Sequence, residues 1–133
     1  MAKQILKPWI IPIVGSDHAF FVDSIHDDDE GFRIILVENQ ISERKLKITF
    51  SSTISYRNTD ESFLLKIWND VDQNLLGKIF YTISDSEYID FFNQMTFGLY
   101  KEWKVVHYAI YTLQDCLDIL SDQPPKIEWI KCH

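Results

Sequence analysis

Residues 45–57, KLKITFSSTISYR, place the tightest constraint on what this chain can fold into. Leu46, Ile48, Phe50, Ile54 and Tyr56 alternate with Lys45, Lys47, Thr49, Ser51, Thr53, Ser55 and Arg57. Ser52 is the one small polar residue on the apolar side. Successive side chains of a strand point to opposite faces. The pattern therefore predicts one long antiparallel strand with a wet face and a buried face.

Its neighbours supply a sheet. Residues 18–25 and 32–38 are strand-like, and the acidic turn Asp27-Asp28-Asp29-Glu30-Gly31 between them makes a hairpin. Residues 39–44 then connect to the alternating strand. Upstream, Pro8 and Pro12 block helix in the apolar stretch 5–14 and argue for an edge strand or an irregular lead-in. Further on, Thr59 is placed to cap a helix bearing Phe63, Leu64, Ile67, Trp68 and Val71 at helical spacing. Residues 78–83 form a strand. Ser84-Asp85-Ser86-Glu87 reads as a capping box opening a second helix, with Tyr88, Phe91, Phe92, Met95 and Leu99 as its core face. The nearly continuous apolar run 103–111 predicts a central strand covered on both sides. Thr112 then caps a third helix with Leu113, Cys116, Leu117 and Leu120 on one side, and 126–130 adds a last strand after Pro124-Pro125. The expectation is a single α+β domain over residues 1–133: a β-meander, then alternating helices and strands, in one mixed sheet with helices on one face.

With 133 residues and 46% hydrophobic composition, one such domain can hold itself together without disulfide or metal. Cys116 reads as core and Cys132 as a free thiol, which fits a reducing cytoplasm. No apolar run approaches the ~20 residues of a membrane span, and the N-terminus lacks a signal-peptide pattern. Twenty acidic against thirteen basic side chains give a net charge of −7, a poor balance for gripping phosphates directly. The acids cluster: residues 17–38 hold seven with one base, and 60–90 seven with two, whereas 39–57 hold four bases and one acid. Should the two acidic segments meet, the protein would have one strongly negative face.

No motif stands out as catalytic. Asp27–Glu30 lack the alternating spacing that wraps a chain round calcium, and Asp70-Val71-Asp72-Gln73-Asn74 begins such a loop but lacks its glycine and closing glutamate. Both read as solvated turns, and no cofactor or metal is expected. The four glycines are isolated, which excludes phosphate-binding loops. His107 sits in an apolar strand and reads as structural. A pocket between sheet and helices, the alternative for an enzyme or ligand binder, would draw on His107, Tyr108, Tyr111, Arg57 and Asp60. A third possibility is an adaptor that self-associates through the stretch 5–14.

No motif in KITFSSTISYRNTDES, residues 47–62, or elsewhere marks a family. In size, acidity, aromatic content and lack of visible chemistry, the whole chain resembles the small immunity proteins of bacterial toxin–immunity pairs, including those of contact-dependent growth inhibition. That resemblance implies a non-catalytic cytoplasmic protein that binds and neutralises a cognate, basic, nuclease-type toxin domain. The binding residues it implies are the acids Asp23, Asp27, Asp28, Asp29, Glu30, Asp70, Asp72, Asp85 and Asp90. Such acids can compete with phosphates for a basic cleft and speed association by steering.

Overall fold

The computed structural model describes residues 4–9, 11–14, 20–38, 43–60, 79–112 and 114–131. Nine strands and one helix lie within them: β1 (Ile5–Pro8), β2 (Phe20–Asp28), β3 (Gly31–Glu38), β4 (Arg44–Phe50), β5 (Thr53–Asp60), β6 (Phe80–Ser84), α1 (Glu87–Met95), β7 (Val106–Tyr111), β8 (Asp115–Ser121) and β9 (Lys126–Lys131). They form two sheets, β1-β6-β7-β8-β5 and β2-β3-β4-β9, in which every pairing is antiparallel. The expected α+β fold, with a mixed sheet and helices on one face, is thus wrong. The described chain is a mainly β sandwich with one short helix.

Between the sheets lies a core of Phe20, Phe32, Ile34, Leu36, Leu46, Ile48 and Phe50 from one side and Tyr108, Ile110, Leu117 and Ile119 from the other. Phe50 packs edge-on against Tyr108, and Phe32 stacks on Tyr56 at 4.3 Å. Burying each such side chain is worth about 1.5–3 kcal/mol, which makes this layer the main source of stability.

The hairpin expected over 18–38 is present as β2–β3. Asp29 and Glu30 form its turn, Asp28 accepts from the Glu30 backbone N–H at 2.9 Å, and Gly31 takes φ +100°. That positive φ is the bulge position where a hairpin of this kind needs glycine.

The long strand predicted over 45–57 breaks at Ser51-Ser52. β4 pairs with β3, whereas β5 crosses to the other sheet and pairs with β8. The sequence alternation carries past the corner because the apolar side faces the same interior from either sheet, with a register shift between Thr53 and Ser55. Ser52 is the corner itself: its hydroxyl donates to Asp122, and its carbonyl accepts from the Ser121 hydroxyl.

Two predicted helices need correction. The third, over 112–120, is strand β8. Leu113, Cys116, Leu117 and Leu120 have helical spacing, but Cys116–Ser121 are buried on both faces, and a short buried strand carries no period of its own. Thr112 does cap, though it caps a hairpin. Its hydroxyl accepts from the backbone N–H groups of Gln114 and Asp115. Thr59 and Asp60, placed at a helix start, are the last residues of β5 and pair with Cys116 and Asp115. The remainder of that predicted helix, Phe63 to Val71, lies outside the described residues.

The second helix exists, but its cap is Ser86 rather than Ser84. The Ser86 hydroxyl accepts from the Ile89 N–H at 3.1 Å. Of its expected core face only Tyr88 is buried; Phe91, Met95 and Leu99 are exposed. The helix ends in a Schellman arrangement. Gly98 N–H donates to the Asn93 carbonyl and Phe97 N–H to that of Gln94. Phe97 therefore occupies the left-handed position usual for glycine, at φ 52°, which costs a residue with a side chain roughly 1–2 kcal/mol.

Candidate functional site

Strand register determines where the acids go. Phe32 pairs with Phe50, so the β2–β3 turn borders the Phe50–Thr53 corner. Thr53 pairs with Ser121, Ser121 with Val106, and Ile83 with His107. The turn Asp28–Gly31 and the β6–α1 junction at Asp85 consequently open at the same end of the sandwich. Asp27, Asp28, Asp29, Glu30, Asp85 and Asp90 are all exposed there. Asp70 and Asp72 lie outside the described residues.

These acids are not equivalent. Arg33 donates to both oxygens of Asp28, at 2.6 and 3.1 Å, and lies 3.6 Å from Glu30. That hydrogen-bonded guanidinium, with help from the Glu30 N–H, lowers the Asp28 pKa to about 2. Asp23 is held by Lys45 at 3.0 Å. Asp27, Asp29, Asp85 and Asp90 have no ion pair among the described residues and present their charge outward. No group of three or more His, Cys, Asp or Glu suited to a metal ion occurs among the described residues.

Beneath α1, on the outer face of the five-stranded sheet, lies a buried polar chain that the sequence reading did not assemble. Register aligns Arg57, Asp118 and Ala109 in one cross-strand row, with Ser55, Leu120 and His107 in the next. Asp118 is fully buried. Its Oδ1 accepts from His107 Nε2 at 2.6 Å and from the Tyr111 hydroxyl at 2.7 Å, while Oδ2 accepts from Arg57 Nε at 3.1 Å. His107 Nδ1 lies 2.6 Å from the Ser86 hydroxyl. His107 thus bridges the Ser86 hydroxyl, which also accepts from the Ile89 N–H, and the Asp118 carboxylate, to which Nε2 donates. Every member is then satisfied. Burial would raise the Asp118 pKa, but the hydrogen bond and charge of His107, the Tyr111 hydrogen bond and the Arg57 charge outweigh it and hold the carboxyl below its ordinary value. Burial, reinforced by the Asp118 charge, pushes the Tyr111 phenol well up and keeps it a donor. Tyr88 closes the top: its ring edge meets His107, Arg57 lies 4.2 Å over its face, and its hydroxyl shares a hydrogen bond with Ser55.

Serine, histidine and aspartate in line form the order of groups that activates a nucleophile. Here Ser86 is only 4% exposed and His107 1%, and a nucleophile must touch its substrate. In this conformation the chain of groups does something else. It fastens the first turn of α1, with Asp85 and Asp90, to β7 and β8.

Of the residues expected to line a pocket, His107, Tyr111 and Arg57 thus converge, on Asp118. Tyr108 faces the opposite core, and Asp60 ends β5 beside Asp115. Asp118 itself was legible only as a charge inside the apolar run 116–120. A cleft of about 250 Å³ opens on the Tyr108 side, walled by Trp9, Pro12, Pro124 and Ile127 among others. Among the described residues its lining holds no carboxylate, histidine or base.

No protein-family model, curated protein or solved structure matches the chain. No helix among the described residues is long and apolar enough to cross a membrane.

Proposed function

We propose that the chain is a non-catalytic binding protein of the immunity type, which neutralises a basic, nuclease-type toxin domain in the cytoplasm. The observation that carries this reading is the gathering of two acidic segments, 27–30 and 85–90, at one end of the sandwich, with Asp27, Asp29, Asp85 and Asp90 free of ion pairs among the described residues. An acidic end of this kind attracts a basic cleft, raises the association rate and weakens with salt. Arg33 fixes the hairpin tip in place, so the charges are presented on a rigid turn rather than on a loose loop. The buried Ser86–His107–Asp118 chain serves by anchoring the second acidic segment.

The test is affinity capture of the tagged protein from its native lysate at low salt, followed by titration of the captured basic protein with purified wild type and with Asp27→Lys/Asp29→Lys. We expect the double variant to bind at least tenfold more weakly and with a flatter salt dependence. Equal affinity and salt dependence would remove the acidic end from the interface.

A further inference from the structure

The exposed apolar residues are as unevenly distributed as the acids. Six of the nine large exposed hydrophobic side chains among the described residues fall between 91 and 106: Phe91, Met95, Phe97, Leu99, Trp103 and Val106. Phe91 and Met95, four apart, share one face of α1. The chain then folds back on the helix, with Tyr100 packed on Phe92 at 5.3 Å and Trp103 on Tyr100 at 4.7 Å. At the apex Phe97 is 98% exposed and held at φ 52°. The Schellman hydrogen bonds hold the backbone there, and the fully wetted ring they present within a cluster of exposed apolar side chains is a feature of interaction surfaces.

We infer that this face is the interface of a homodimer, occupied by the same face of a second copy with Phe97 at its centre. Two observations select a second copy over a different protein. Five exposed side chains from Phe91 to Trp103 present roughly 500–600 Å² per copy, so two copies bury on the order of the 1,000 Å² that a specific interface requires. The patch is also predominantly apolar, as homodimer interfaces are, whereas interfaces between transient partners match the average surface. Residues 85–106 carry four acids and two bases, a local charge of −2 on a chain of −7. The two faces repel weakly, and added salt tightens their association. Binding of a basic partner at the acidic end has the opposite salt dependence.

Sedimentation of the purified full chain over a micromolar-to-millimolar series, at low and high salt, decides the matter. The expected result is a monomer–dimer equilibrium that tightens with salt. Phe97→Gly should weaken it on the order of 30-fold, because Phe97 is the central anchor. Its thermal midpoint in dilute solution should be unchanged or raised, since glycine accepts the positive φ. Leu99→Asp, outside the helix, should abolish the dimer by itself. A wild type that stays monomeric throughout overturns the inference. So does a dimer that Phe97→Gly leaves equally tight, or one that salt dissociates. A monomer that buries Phe97 only against the captured basic protein overturns it too, while leaving the acidic-end reading standing.

Discussion

The two sheets of the sandwich share one core but treat their outer faces in opposite ways. In the four-stranded sheet the outer face is wet along β4 and β9, though Arg33 and Ile35 of β3 are buried on it. Lys45, Lys47 and Thr49 of β4 face Ile130, Glu128 and Lys126 of β9, and inward residues alternate with them one for one. In the five-stranded sheet both faces are covered at the centre. Tyr81, Ala109, Tyr111 and Cys116 bury beside the His107–Asp118 pair, while Tyr108, Ile110, Leu117 and Ile119 bury on the other side. A sheet with one wet face costs little to alter there. A charge beneath a second covered face has no water to fall back on, and its partners must all be present.

The largest effect is expected at Asp118. Asp118→Ala leaves His107, Tyr111 and Arg57 without their acceptor and should cost about 3–5 kcal/mol in urea unfolding. A loss below about 1 kcal/mol would show that the two outer faces are energetically alike. The same variant sharpens the pH profile. A carboxyl whose folded pKa is depressed adds stability above its unfolded value, and that stability is lost as pH falls through the folded one. Acid unfolding followed by circular dichroism should therefore be less steep in Asp118→Ala than in wild type.

Ser86→Ala comes next. It removes the α1 cap and the hydrogen bond to His107 together, with an expected cost of about 1–2 kcal/mol in thermal unfolding. Hydrogen exchange should show the loss concentrated in α1. Uniform exchange across both sheets would mean that the hydroxyl does not fasten the helix.

On the wet sheet, Lys47→Ala should change stability by no more than about 0.5 kcal/mol. A larger loss would give that face a covering of its own. The smallest effect is local: by NMR the Asp28 carboxyl should titrate at about 2 in wild type and move up toward the ordinary range in Arg33→Gln. An unmoved midpoint would place the cause elsewhere than in the Arg33 hydrogen bonds.

The same contrast explains what could be read in the residues. β2, β4 and β9 were legible because each has one drier and one wetter side, and β3 because the hairpin turn announced itself by Asp28 and Gly31. β8 was not legible. A strand buried on both faces loses its two-residue period, and Leu113, Cys116, Leu117 and Leu120 then imitate a helix. That imitation also hides Asp118, the hub of the polar chain, although its partners His107, Tyr111 and Arg57 stand out in the sequence. In α1 the error ran the other way: Phe91, Met95 and Leu99 have the spacing of a core face, yet they face water.

Local chemistry by itself determined the acidic balance, the hairpin turn, the exclusion of helix at Pro8 and the inward side of the strands with a wet face. Each follows from the charge, φ preference or period of a few consecutive residues. Only the tertiary structure decided that the strand 45–57 turns at Ser52 into the opposite sheet, that Asp118 meets donors from β5 and β7, and that the two acidic segments open at one end. Those are relations between residues far apart in the chain. Alternation reports which side of a strand is dry, and a dry side looks the same from either sheet.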